Sequence, residues 1–301
     1  DKIDLANYYD DIIDLYTSED RLYAIPKDID TIALWYNKTL FDEAGVAYPD
    51  ETWTWETLAE TAKKLTKEDK SVYGYGINTS NNQDSYFNII YAYGGAVISE
   101  DHKTSMMDDP KTIEGMEVIE RMLRDGSIPD LQMLSENGTE VLFNSGKVAM
   151  VTQGSWMVPA FRNNEYAVAN ADIAVLPSGP DSRVSLYNGL GWAADANGKN
   201  IDAAWSLIEY LGTKEAQEKQ ASLGVTMSAY KGTSEAWGSS SSEFNLEAYL
   251  DMLDANLVIR PYSHNTTVWE GMIRDRLGPV WLGDQTMADA LKGIAETMNS
   301  M

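Results

Sequence analysis

The stretch FNSGKVAMVTQGSWM, Phe143 to Met157, decides how this chain is read. It runs from a helix end through a short apolar strand to the pair Gly154-Ser155, and then sets a tryptophan, Trp156, directly after the turn. A tryptophan at a strand-to-helix junction sits at the carboxyl end of a strand, where open α/β sheets place their ligand crevices. Glycine and serine let the backbone approach closely, and the indole would form one wall. Packing of Trp156 on the core at a helix start is the plainer reading of the same residues, and composition alone favours it.

Working outward, strand-like and helix-like segments alternate, the pattern of an α/β protein. LYAIPKDIDTIALWYN (Leu22 to Asn37) reads as an extended segment, a proline break and a buried strand. A helix is expected over Trp53 to Leu65, a strand in SVYGYGI, and a helix in SYFNIIYAYGG that ends at Gly94. DPKTIEGMEVIERMLRDGSIPD is the clearest helix, with Asp109 as N-cap, Pro110 in the first turn, Ile113, Met116, Ile119 and Leu123 on one face, and Gly126 as its stop. ADIAVLP predicts a strand, NGLGWAAD a strand or turn, and NIDAAWSLIEYLGT and TKEAQEKQASLG helices. Further helices are expected over Glu243 to Asn256, Thr266 to Leu277 and TMADALKGIAETMN, where Thr286 and Asp289 resemble a capping box.

Composition narrows the chemistry. At 301 residues the chain has room for about two domains, and its hydrophobic and charged fractions, 44% and 23%, are those of a globular protein. The absence of cysteine and the presence of only two histidines, His102 and His264, leave no thiol chemistry and no plausible zinc or His-triad site. A formal charge of -24 repels phosphate backbones and anionic headgroups, so nucleic acid and membrane-surface partners are disfavoured. GLGWAA (Gly189 to Ala194) formally fits a dinucleotide fingerprint, but Trp192 would crowd the pyrophosphate. No cofactor is implied. The aromatics are skewed, Tyr 17 and Trp 9 against Phe 5, toward rings with a polar handle that suit half-wet surfaces.

Several segments taken together resemble the carbohydrate-specific extracellular solute-binding proteins of ABC importers, the group that includes maltose-binding protein. YAIPKDIDTIALWYNKTLFDEAG resembles that family's Pro-x-x-x-acidic segment and aromatic-Asn-Lys strand, and TWTWETL its Thr-Trp-x-Glu helix start. FNSGKVAMVTQGSWM resembles its Phe-x-x-Gly-x-x-Ala-Met...Gly-x-Trp motif, and VWEGMIRDRLGPVWLGDQTMADAL its closing helices.

The resemblance implies an α/β, two-lobed periplasmic-binding-protein-like fold of type II with a hinge between the lobes, the first lobe lacking its N-terminal part. Residues 1–30 and 188–250 would form the partial N-terminal lobe, and 31–187 with 251–301 the C-terminal lobe. It implies a sugar site in which Trp156, Tyr86 and Trp269 are stacking platforms and Asp30 and Asp84 accept hydroxyl hydrogen bonds. Arg260 would add a donor fork, with a surface or hinge salt bridge equally open to it. Trp192 and Tyr187 lie where such chains cross back between lobes, and either could face the ligand or the protein. Trp35, Trp53 and Trp55 read as packing residues.

A pyranose, with weakly positive C–H faces and a rim of hydroxyls, calls for aromatic faces and charged acceptors, which are these residue types. The expected function is non-enzymatic capture of a neutral mono- or oligosaccharide and its delivery to the membrane permease of an ABC importer. The protein would be a monomer, anchored outside a Gram-positive cell as a lipoprotein or held in a periplasm. A glycoside hydrolase using two cleft carboxylates and a binding protein for a cationic solute stay open as alternatives.

Overall fold

The computed structural model describes residues 3–301, so Asp1 and Lys2 of the expected first segment lie outside the described residues. After the helix Asp10–Leu15 and a small hairpin of Thr17–Ser18 with Arg21–Leu22, the chain makes two further short strands, β1 (Ile25–Pro26) and β2 (Asp28–Ile29), and then enters β3 (Ile32–Asn37), all six of whose residues are buried. Helix α1 (Trp55–Leu65) follows, capped by the Thr54 side chain, which accepts from Thr57 N–H. It packs on β4 (Tyr73–Gly76) so closely that a methyl at Gly74 would lie 1.9 Å from the carbonyl oxygen of Ala62. Helices α2 (Phe87–Ala92) and α3 (Pro110–Arg124) come next. The latter is capped by Asp109, and Gly126 beyond its end sits at φ +74°, as the sequence predicts.

The opening stretch becomes β5 (Val148–Gly154), buried throughout, leading into a short turn at Ser155–Met157 and helix α4 (Val158–Arg162). With β6 (Ala171–Ala174) it completes a four-stranded sheet in the order β4-β5-β3-β6, parallel between β4 and β5 and antiparallel elsewhere. Trp35, fully buried at its centre, is ringed edge-on by Phe161 at 4.3 Å, Phe244 at 4.8 Å and Phe143 at 6.4 Å. Its indole N–H donates to Tyr249 Oη at 2.7 Å, and that hydroxyl donates in turn to the Gln153 carbonyl at 3.0 Å. Trp53 and Trp55 are buried too, in agreement with their reading as packing residues.

From β7 (Val184–Tyr187) the chain crosses back through β8 (Gly191–Trp192), which pairs with β1, and helix α5 (Ile201–Leu211) to β9 (Met227–Ser228), which pairs with β2. It then reaches α6 (Glu247–Asp251) and β10 (Asn256–Ile259), and closes with α7 (Thr266–Trp281) and α8 (Met287–Met298). One expectation differs. The helix expected over Glu243 to Asn256 is only Glu247–Asp251, because Asn-Leu-Val-Ile is drawn into a strand parallel to β7. Phe244 and Tyr249, on the segment just before residue 250, pack on Trp35.

Candidate functional site

The ends of β3 and β5 converge beside the segment that links β7 to β8. Ile32 pairs with Gly154, and Ser155 N–H donates to the Thr31 carbonyl at 3.0 Å, so the start of β3 and the end of β5 are locked together. Trp156 follows, half-buried. Its six-membered ring folds back over Gly154: a methyl there would lie 2.1–2.3 Å from three indole carbons. Glycine is therefore required for the close approach of the indole and not for a left-handed backbone, since Gly154 has φ -79°.

Asp30 stands beside this corner, half-buried, with its backbone N–H donating to the Asn188 carbonyl at 2.9 Å. Gln83 Nε2 donates to Oδ1 at 2.6 Å and Asn188 N–H donates to the same oxygen at 3.1 Å, whereas Oδ2 has no partner among the described residues. Burial first, and then the neighbouring Asp28 carboxylate, push the Asp30 carboxyl well above the usual range, against the pull of these hydrogen bonds and of Arg260. Asp28 itself is tied to the crossing, pairing with Lys27 at 2.5 Å and accepting Leu190 N–H at 2.7 Å.

The other expected residues divide. Asp84 is buried, held by Asn78 Nδ2 at 3.2 and 3.3 Å, and burial raises its carboxyl to about 7. Arg260 makes its fork to Glu270 on α7, at 2.8–3.1 Å, so the salt bridge is the arrangement found. Trp192, half-buried, lies on the other side of the crossing with Lys27 Nζ 5.7 Å from its ring centroid, and its indole N–H is buried without a partner.

Tyr86 and Trp269 depart from their expected places as platforms. Tyr86 is 1% exposed, with its hydroxyl on Asn82 Oδ1 at 2.7 Å and its ring edge-on to Phe87, while Trp269 is 2% exposed with its N–H on Ser263 Oγ at 2.9 Å. Neither offers a ring face to solvent in this conformation. Tyr187 is likewise buried, its hydroxyl donating to Asp11. The sequence reading missed Gln83 and Asn188, the two residues that orient Asp30. Gln83 adjoins the acid singled out in the QDSYF stretch, but nothing in its spacing shows that it reaches back to Asp30.

The corner thus offers one free carboxylate oxygen, a partly exposed indole and the amides that hold the carboxylate in place, parts suited to hydroxyl recognition. Among the described residues no group of acidic or histidine side chains could hold a metal ion. Known proteins agree in fold. An ABC substrate-binding protein from Listeria monocytogenes, in complex with cycloalternan, superposes with a TM-score of 0.87 over 99% of this chain and 76% of its own, at 22% identity. The GacH receptor of Streptomyces glaucescens, solved unliganded and with acarbose, gives 0.83 over 99% and 75%, also at 22% identity. A galactooligosaccharide-binding protein of Bacillus subtilis is 26% identical over 227 residues, 71% of this chain and 51% of its own. The chain spans about half the length of the curated relatives it matches. The model of the bacterial extracellular solute-binding protein family matches residues 1–218, and the chain belongs to that family.

Proposed function

We propose that the protein captures a neutral mono- or oligosaccharide at the crossing between its lobes and delivers it, unaltered, to the membrane permease of an ABC importer. The observation that carries this reading is Asp30: a carboxylate fixed by Gln83 and Asn188, with one oxygen left without a partner beside the half-buried Trp156. Relatives whose names specify galactooligosaccharide and maltotriose binding support the substrate class. The protein works as a monomer outside the cytoplasmic membrane, anchored as a lipoprotein or held in a periplasm. No helix among the described residues is long and apolar enough to cross a membrane.

The mechanism is hinge closure. Contacts with both lobes exist together only in the closed form, so bound sugar shifts the population toward it. The contacts at the crossing that support this reading are Asp30 N–H to the Asn188 carbonyl at 2.9 Å and Asn188 N–H to Asp30 Oδ1 at 3.1 Å, a narrow connection about which the two sides can turn.

Calorimetric and thermal titration against a panel of neutral sugars tests the reading. A true ligand at 100 times Kd stabilises by about 2.7 kcal/mol. Asp30→Asn then weakens binding by about 1 kcal/mol or more, the value of a hydrogen bond to the lost carboxyl oxygen, while the melting temperature holds or rises because the raised carboxyl is removed. A panel without a hit, unchanged affinity in Asp30→Asn, or steady release of reducing ends from the best ligand would overturn it.

A further inference from the structure

Tyr36 follows Asp30 by six residues along β3, roughly 20 Å of extended chain away from the sugar corner. There a separate cavity of about 590 Å³ opens beside β6, the edge strand of the sheet. Its walls carry Asp50, Glu51, Asp172, Asp251 and Asp254 against a single cation, Arg183. Arg183 directs its Nε and Nη2 to the backbone carbonyls of Leu176 and Glu51, and its one positive charge against five carboxylates leaves the wall acidic. Among the described residues no lysine or arginine forms an ion pair with any of the five carboxylates.

A second feature points to a ligand. Tyr36 is 7% exposed, lines the same cavity, and its hydroxyl bonds to no described residue. It stands directly opposite Asp172 in the β3–β6 register, and opposed residues of an antiparallel pair project from the same face of the sheet. The phenol and the carboxylate therefore face the cavity together. Burial and the Asp172 charge push the phenol up to about 12, so it stays neutral and its oxygen can accept a hydrogen bond. Asp172 spends Oδ1 on the N–H groups of Ile173 and Asn245 and keeps Oδ2 free.

The carboxylates are spread around the wall, and among the described residues no set of them is grouped closely enough to hold a metal ion. Dispersed negative charge of this kind suits a ligand whose positive charges are themselves spaced along a chain. We propose that this cavity binds a linear di- or polyamine. One primary ammonium, with three donors, sits on Tyr36 Oη and Asp172 Oδ2, and a second charge lies against the exposed Asp251 and Asp254.

The test is calorimetric titration at fixed ionic strength with spermidine, putrescine, butylamine and magnesium chloride. Spermidine and putrescine should bind, each well ahead of butylamine and magnesium. Asp251→Asn/Asp254→Asn, which alters only exposed side chains, should weaken spermidine by at least about tenfold, the worth of a charge-assisted contact. Tyr36→Phe should weaken it by about threefold, as for a neutral hydrogen bond. Asp108→Asn/Glu114→Gln, outside the cavity, should leave it unchanged. Equal loss in that control, equal binding of butylamine or magnesium, or full affinity in the Asp251/Asp254 variant would overturn the proposal.

Discussion

The four-stranded sheet and the segments on the other side of the crossing are built to different standards. In the sheet, β3 and β5 are buried along their whole length, and Trp35 has three phenylalanines around it and a hydrogen-bonded indole. On the other side of the crossing, β1–β8 and β2–β9 are two-residue pairings, and α5 buries one residue, Ile208, while Trp205, Leu207 and Tyr210 stand 47–58% exposed. Strand pairs so short have little stability of their own. The difference teaches where the site gets its rigidity: Asp30 and Trp156 are positioned from the sheet side, through Thr31, Gln83 and Gly154. The other side contributes the Asn188 backbone and Trp192.

The largest expected effect lies at the centre of the sheet. Trp35→Ala removes a fully buried indole from a close-packed site and leaves the Tyr249 hydroxyl without its donor, so a loss of about 3–5 kcal/mol is expected by chemical denaturation. A loss below about 1 kcal/mol would erase the contrast between the two regions.

The same well-packed region holds a group that works against it. Asp84 is buried with its carboxyl at about 7, whereas an unfolded aspartate titrates near about 3.9. The folded state therefore holds this proton more tightly than the unfolded state does. Its contribution to stability falls as pH rises from about 4 to about 7 and is level above that. Asp84→Asn should flatten that part of the stability profile and raise stability at pH 8 by at most about 4 kcal/mol, at about 1.36 kcal/mol for each pH interval of one between the folded and unfolded values. An unaltered profile in the variant would show that Asp84 is ionised and solvated in the native protein.

A smaller effect falls on the corner itself. Trp156→Ala should stay folded and lose at least about 1 kcal/mol of sugar affinity, with Trp156→Phe recovering part of it. Gly154→Ala should act on the same indole from behind: its methyl would occupy the ring's position, displace it, and cost about 1–3 kcal/mol of stability as well. A Gly154→Ala protein with native affinity would detach the indole from the ligand.

Much of the fold was legible because its signals are local. The buried run IALWYN, the Asp109-Pro110 start and Gly126 stop of α3, and the Gly154-Ser155-Trp156 corner each carry their reason within a few residues. What escaped depends on partners far along the chain. Residues 256–259 are a strand because β7 lies beside them, and Gln83 matters because it reaches Asp30 across 53 positions. Tyr86 and Trp269 show a different limit. An aromatic next to polar residues looks the same in sequence whether its ring faces a cleft or a core, and here the rings turn inward while Asn82 and Ser263 satisfy their polar ends.

The smallest effect is expected where the contrast is sharpest. Trp205 is the same residue type as Trp35, but on α5 it is 47% exposed, with Ile201 one turn before it exposed as well. Removing it leaves no cavity, so Trp205→Ala should change stability by no more than about 0.5 kcal/mol, as for surface substitutions generally. Because exposed apolar side chains promote association, the variant should be more soluble and less prone to self-association in sedimentation or light scattering. Amide exchange should run the same way, with the α5 amides opening at a far lower free energy than those of β3 and β5. If Trp205→Ala instead destabilises as Trp35→Ala does, α5 is packed in solution, and the side of the crossing beyond Asn188 is as firmly built as the sheet.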